Sequence, residues 1–198
     1  MSGIAALREH DQIIVFHDVT WEDYEHVLAI RGDKSAPRIA YLEGELKIMS
    51  PSRDHERIKS FIRCLLETWC IDLDIELTPF GSWTLQGKKQ DCAVEADECY
   101  IFGTEPRGLP HLAVEVEWSR SGIDELRIYQ RLGVEEVWIW SKGVIEVYTL
   151  ADGTFARSER SRILPDLDLA LVASMLGHDT LTQAVRAFRK ALEAERRA

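Results

Sequence analysis

The spacing of apolar positions changes period several times along the chain, and each change marks an element. Ile13 to Phe16 is a short β-branched run that predicts a strand, and Thr20 followed by Glu22 and Asp23 marks the start of a helix over WEDYEHVLAIR that Gly32 ends. Ile39, Tyr41, Leu46 and Ile48 alternate in two runs joined around Glu43 and Gly44, the pattern of a hairpin, and Pro51 closes its second strand. Behind a cap at Ser52 or Asp54, the residues Ile58, Phe61, Ile62, Leu65, Leu66 and Trp69 recur at helical spacing and predict a core helix. DIELTPF, SWTL, AVEADECYIF and HLAVEVEW follow as short strand-forming segments separated by Gly, Pro or polar turns, and predict a central sheet. Ile123, Leu126, Ile128, Tyr129 and Leu132 predict a helix stopping at Gly133; EVWIW and VIEVYTL then form a hairpin on Lys142 and Gly143, with a further turn at Asp152 and Gly153. From Asp168 onward two helical stretches are interrupted at Gly177, and the mixed charge of FRKALEAERRA suits an exposed helix or a dimer contact.

This order of elements predicts an α/β (α+β) fold with a central sheet. The 198 residues suit one domain, with a strand–helix extension over residues 1–37 and helices over 166–198. No apolar run approaches the roughly 20 residues that span a bilayer, and MSGIAALREHDQ lacks the basic start and apolar stretch of a secretory signal, so a cytoplasmic protein is expected. Cys64, Cys70, Cys92 and Cys99 show no C-x-x-C spacing and read as free thiols; the six histidines are scattered, which argues against a zinc enzyme. A formal net charge of -10 weighs against nucleic-acid binding unless cations are segregated on one surface, although a metal site itself concentrates carboxylates.

The candidate chemistry lies in two of the predicted strands. In VEADECYIF, Glu95 and Asp97 are two apart and, on one extended strand, share a side with Ala93 and Cys99. In HLAVEVEW the same rule pairs Glu115 with Glu117 and turns Leu112, Val114 and Val116 to the other face. Neighbouring strands presenting paired acids raise carboxylate pKa values or recruit a cation, and oxygen-only ligands suit magnesium or manganese. Such a site serves phosphodiester cleavage; its bland counterpart is a set of solvent-facing acids on a half-exposed sheet. Lys88, Lys89 and Arg120 are the loop cations that could reach phosphate, and a solvated loop accounts for them equally well. Trp118, Trp138 and Trp140 read as packing residues rather than stacking platforms, and Ser119 and Ser121 lack the context of a hydrolase nucleophile.

The succession LEGELKIMSPSRDHERI, EADECYIFG, LAVEVEWSRSGIDELRIYQRLGVEEVWIW and IEVYTL, from about Arg38 to Leu150, resembles the Uma-two family of restriction-endonuclease-like proteins in the PD-(D/E)XK superfamily. The resemblance implies a restriction-endonuclease-like mixed central sheet flanked by helices, and a magnesium-dependent nuclease acting on DNA, often as a homodimer. It matches Asp97 to the aspartate of the P-D motif, with Ala96 in place of the proline, and Glu115 to the acid of the second strand. Glu95 and Glu56 correspond to supporting acids, and Glu45 of the G-E-L motif either lies near the site or belongs to the hairpin surface.

The lysines depart from the pattern. The superfamily carries a lysine two residues after the second acid, where this chain has Glu117, and Uma-two proteins commonly carry it on the next helix, where this chain has Glu125. Arg127 is a poor replacement, since residues two apart on a helix do not share a face and a guanidinium stays protonated. Two expectations stand at this point: a metal-dependent endonuclease using Asp97 and Glu115 as ligands beside Glu117, and a catalytically silent relative that keeps the fold for binding or dimerisation.

Overall fold

The computed structural model describes residues 10–117 and 122–195. The chain runs β1 (Gln12–Phe16), α1 (Trp21–Arg31), β2 (Arg38–Leu42), β3 (Glu45–Ser50), α2 (Arg53–Asp72), β4 (Leu77–Pro79), β5 (Thr84–Gly87), β6 (Cys92–Glu95), β7 (Glu98–Phe102) and β8 (Leu112–Val116). It continues with α3 (Glu125–Leu132), β9 (Glu136–Ser141), β10 (Val144–Ala151), β11 (Thr154–Ser158), α4 (Leu169–Met175) and α5 (Leu181–Glu195). The expected α/β class is observed, with the strands divided between two sheets. One sheet has the order β1-β3-β2-β6-β5 and the other β11-β10-β9-β8-β7-β4, whose single parallel pair is β8 with β9. That pair is the place where α3 crosses between strands, as a parallel connection requires.

Local chemistry accounts for the boundaries. Thr20 and Asp23 form a reciprocal capping box at the start of α1, the Ser52 hydroxyl accepts from the His55 amide at the start of α2, and Asp124 caps α3. The hairpins turn on Glu43–Gly44, Lys142–Gly143 and Asp152–Gly153, each with both residues at positive φ, the two-residue turn that matches strand twist.

The expected single strand AVEADECYIF does not form. It breaks after Glu95, and Ala96–Asp97 carries the chain from the first sheet to the second, where pairing resumes at Glu98. Extended-strand parity therefore does not relate Glu95 to Asp97. The break follows from packing: Val94 and Cys92 join β2 and β5, while Tyr100 belongs under α2.

The second sheet is covered on both faces. Leu112, Val114, Val116, Trp138 and Trp140 meet α2, α4 and α5, and Ala113 and Val137 meet α3 and the first sheet. The expected acid-bearing, half-exposed face of β8 is thus largely interior. The C-terminal helix is likewise anchored, since Ala184 and Phe188 are core residues. Leu66 is fully buried at the centre of α2, and Leu66→Ala is expected to cost about 2–5 kcal/mol in a urea titration. Cys70, Cys92 and Cys99 are buried free thiols and Cys64 is partly buried. No described helix is long and apolar enough to cross a membrane.

Candidate active-site pocket

Two arginines, partly buried Arg31 and buried Arg38, organise the acids at the seam between the sheets. Glu95, at the end of β6, pairs with Arg31 and accepts from the Ile39 amide at 2.8 Å and the Thr84 hydroxyl at 3.0 Å. Asp97 is completely buried; it pairs with Arg38, accepts from the Val116 amide at 2.7 Å and lies 3.0 Å from His55 Nε2. Arg38 also reaches Glu56 at 2.9 Å, while His55 Nδ1 stands 2.9 Å from Asp11. Continuing the antiparallel β7–β8 register, in which Glu98 faces Val114, sets Asp97 opposite Glu115. Arg38 acts on both acids, pairing directly with Asp97 and lowering the pKa of Glu115 through its charge.

Glu115 opens onto a pocket of about 360 Å³ lined by Asp11, Lys47, Glu115, Glu117, Asp124, Glu125 and Tyr129 together with apolar side chains. Burial, and then the charge of Glu125, push the Glu115 carboxyl up to about 8; the Tyr129 hydroxyl, Arg38 and Lys47 oppose this. Tyr129 is itself buried and donates to Glu115 Oε1.

Lys47 extends from the middle of β3, 8% exposed, with its ammonium 2.7 Å from Glu125. Burial pulls its pKa down, but Glu125, Glu115 and Glu117 outweigh burial and the net shift is upward, so it stays a cation. Its stem is held close to backbone: a Cβ on Gly122, which has φ +99, would stand 3.2 Å from both Lys47 Cδ and Val15 Cγ2.

Of the residues singled out in the sequence, Glu115 and Glu117 line this pocket, and Asp97 sits behind Glu115 in the Arg38 network. Glu56 joins that network, whereas Glu95 belongs to the neighbouring one around Arg31. Glu45 pairs at 3.1 Å with exposed His17, and Arg127 pairs at 2.8 Å with Glu43. Lys88 pairs at 3.4 Å with Glu25 of α1, and Lys89 is exposed beside it. Arg120, with Trp118, Ser119 and Ser121, lies outside the described residues. Trp138 and Trp140 are core residues, and the Trp138 indole donates to Glu136 at 2.7 Å.

No local sequence signal marks Lys47, Tyr129, Arg38 or His55 as site residues. A lysine alternating with Leu46 and Ile48 reads as the outer face of a hairpin. In the structure Leu46 and Ile48 pack with α1, while Lys47 and Met49 face the pocket, so both faces of β3 are occupied.

Carboxylate oxygens around Glu115 suit a hard divalent cation better than zinc. Among the described residues no three His, Cys, Asp or Glu side chains converge as a metal-binding group. Both Asp97 oxygens already have protein partners, so Glu115 is the acid of the pair that faces the pocket. The donor chemistry fits; Asp97 would join a cation only by loosening from Arg38.

Residues 21–182 match the family model Uma2, described as "Putative restriction endonuclease". Among solved structures, the chain is similar to "a putative nuclease belonging to DUF820" from Anabaena variabilis, at 16% identity and a TM-score of 0.46, over 86% of this chain and 99% of that one. Among curated proteins no match was found. Because the family match runs from α1 into α5 and takes in the pocket strands, the arginine network and α3, the chain belongs to the Uma2 family of restriction-endonuclease-like proteins.

Proposed function

We propose that the protein is a metal-dependent nuclease that hydrolyses DNA phosphodiesters at the Glu115 pocket. The observation that carries this reading is a buried Glu115, beside the Val116 amide that donates to Asp97, facing a cavity that also holds Glu117, Asp124, Glu125, Asp11 and the ammonium of Lys47. Carboxylates so arranged repel one another, and added positive charge relieves that repulsion. Glu115 and Glu117 would hold magnesium or manganese, with Asp97 adding a ligand on release from Arg38. When bound, such an ion activates water and neutralises charge building on the phosphate. Tyr129 orients Glu115 through its hydrogen bond, and the apolar wall of Ile123, Val137 and Ile139 limits bulk water. A cytoplasmic homodimer belongs to the same proposal.

Supercoiled plasmid incubated with magnesium or manganese tests it. Wild type is expected to nick the plasmid, and Glu115→Gln to be slower by at least about 100-fold. Wild-type activity that survives Glu115→Gln would remove the pocket from the reaction.

One observation favours a second reading: Arg38, His55 and the Val116 amide already satisfy Asp97 without a metal. A silent relative would bind duplex DNA yet leave plasmid intact at every divalent ion tried.

A further inference from the structure

We infer that Lys47, contributed by the β2–β3 hairpin, is the phosphate-contacting cation of this pocket, and that Glu125 is the group that aims it. The inference deepens the nuclease reading and rests on it for cleavage, although the contact itself can be measured without cleavage.

The geometry separates Lys47 from an ordinary surface lysine. Its strand is internal, with Lys47 paired to Val15 on β1 and to Ala40 on β2, so its backbone has fixed neighbours on both sides. Its side chain is 10% exposed, packed along the Gly122 backbone, and ends 2.7 Å from Glu125 Oε1 on the first turn of α3. Among the described residues lining the cavity it is the one Lys or Arg. Arg38 has its guanidinium committed to Asp97 and Glu56, and Arg127 is committed to Glu43 on the surface.

An anionic phosphodiester entering this cavity meets repulsion from the carboxylates of Asp11, Glu117, Asp124 and Glu125. Lys47 supplies the attractive charge, as a compact ammonium with three donors, one held by Glu125 and others available to non-bridging phosphate oxygens. In this role the ammonium keeps its protons throughout; it forms hydrogen bonds and makes or breaks no covalent bond.

The test compares wild type with Lys47→Met/Glu125→Gln, which removes both charges and keeps the net charge, and Lys47→Glu/Glu125→Lys, which exchanges them. Three readouts are used: plasmid cleavage with manganese, the salt dependence of affinity for a fluorescein-labelled duplex oligonucleotide, and thermal unfolding. The neutral pair is expected to cleave at least about 100-fold more slowly. Its log–log salt slope should fall by about one phosphate contact. The exchanged pair is expected to recover cleavage to within about tenfold, because its ammonium returns to the same gap, a recovery that a purely structural role for Lys47 does not predict. Cleavage by the neutral pair within about threefold of wild type overturns the inference and leaves the nuclease reading intact. So does failure of the exchanged pair when its unfolding temperature matches that of wild type. A wild type that does not cleave overturns the nuclease reading instead. The salt slope then decides for Lys47: a drop in the neutral pair upholds the contact, and an unchanged slope ends it.

Discussion

Asp97→Ala is expected to lose about 3–5 kcal/mol of folding stability, the cost of leaving a buried charge without its partner. Asp97 is fully buried, and its removal leaves Arg38, which is 4% exposed, with only the half-exposed Glu56 as a salt-bridge partner, while depriving the Val116 amide of its side-chain acceptor. Replacing the pair together, as in Arg38→Met/Asp97→Leu, is expected to recover the part of that loss due to the uncompensated Arg38 charge, while the Val116 amide still lacks its acceptor. Urea titration of the two variants checks this, and an Asp97→Ala protein within about 1 kcal/mol of wild type refutes it. Inactivity of Asp97→Ala alone is therefore weak evidence of a role in chemistry, which is why Glu115 is the better position for an activity test.

Glu115→Gln should stabilise the protein at alkaline pH and leave it nearly unchanged in acid. The carboxyl titrates near 8 in the folded protein against an ordinary value of 4.5, raised chiefly by burial and then by Glu125. The folded state accordingly holds a proton that the unfolded chain has released between these values, so stability contributed by the neutral acid is complete below about 4.5 and is lost as pH rises through about 8. Glutamine mimics the neutral acid and can accept the Tyr129 hydrogen bond at every pH. At pH 5 the two proteins should unfold alike; at pH 8.5 the variant should be more stable, by on the order of a few kcal/mol. An identical gap at both values would show that Glu115 does not hold its proton. Together with the expected loss of cleavage, this would make Glu115 a position where stability has been given up for function.

The elements were legible where one physical signal acted alone. Turn pairs such as Lys142–Gly143, the cap at Ser52 and the apolar stripe from Ile58 to Trp69 each determine a local outcome, and each appears as expected. Glu115 and Glu117 were legible as neighbours because β8 is regular through Val116 and the cavity collects both side chains. AVEADECYIF was misread because alternation carries no information about which sheet a residue joins; Val94 and Tyr100 pack against different partners, and only tertiary structure reveals the crossing between them. Lys47 escaped notice for a related reason. A lysine inside a strand is usually solvated, and what makes this one interior is α3, 78 positions further along at Glu125. The arginine partners of Glu95 and Asp97 were hidden in the same way, since Arg31 ends a helix and Arg38 opens a strand in segments that local pattern treats as periphery.

The crossing at Ala96–Asp97 also bears on how the pocket responds to strain. Lys47 is carried by one sheet and Glu115 by the other, with Asp97 as the covalent hinge pin beside the gap they share. A wedge in the seam, such as a larger side chain at Ala96 or Ala113, would open the spacing between ammonium and carboxylate without touching either, so the distance between the two layers works as a tuning screw for the cavity.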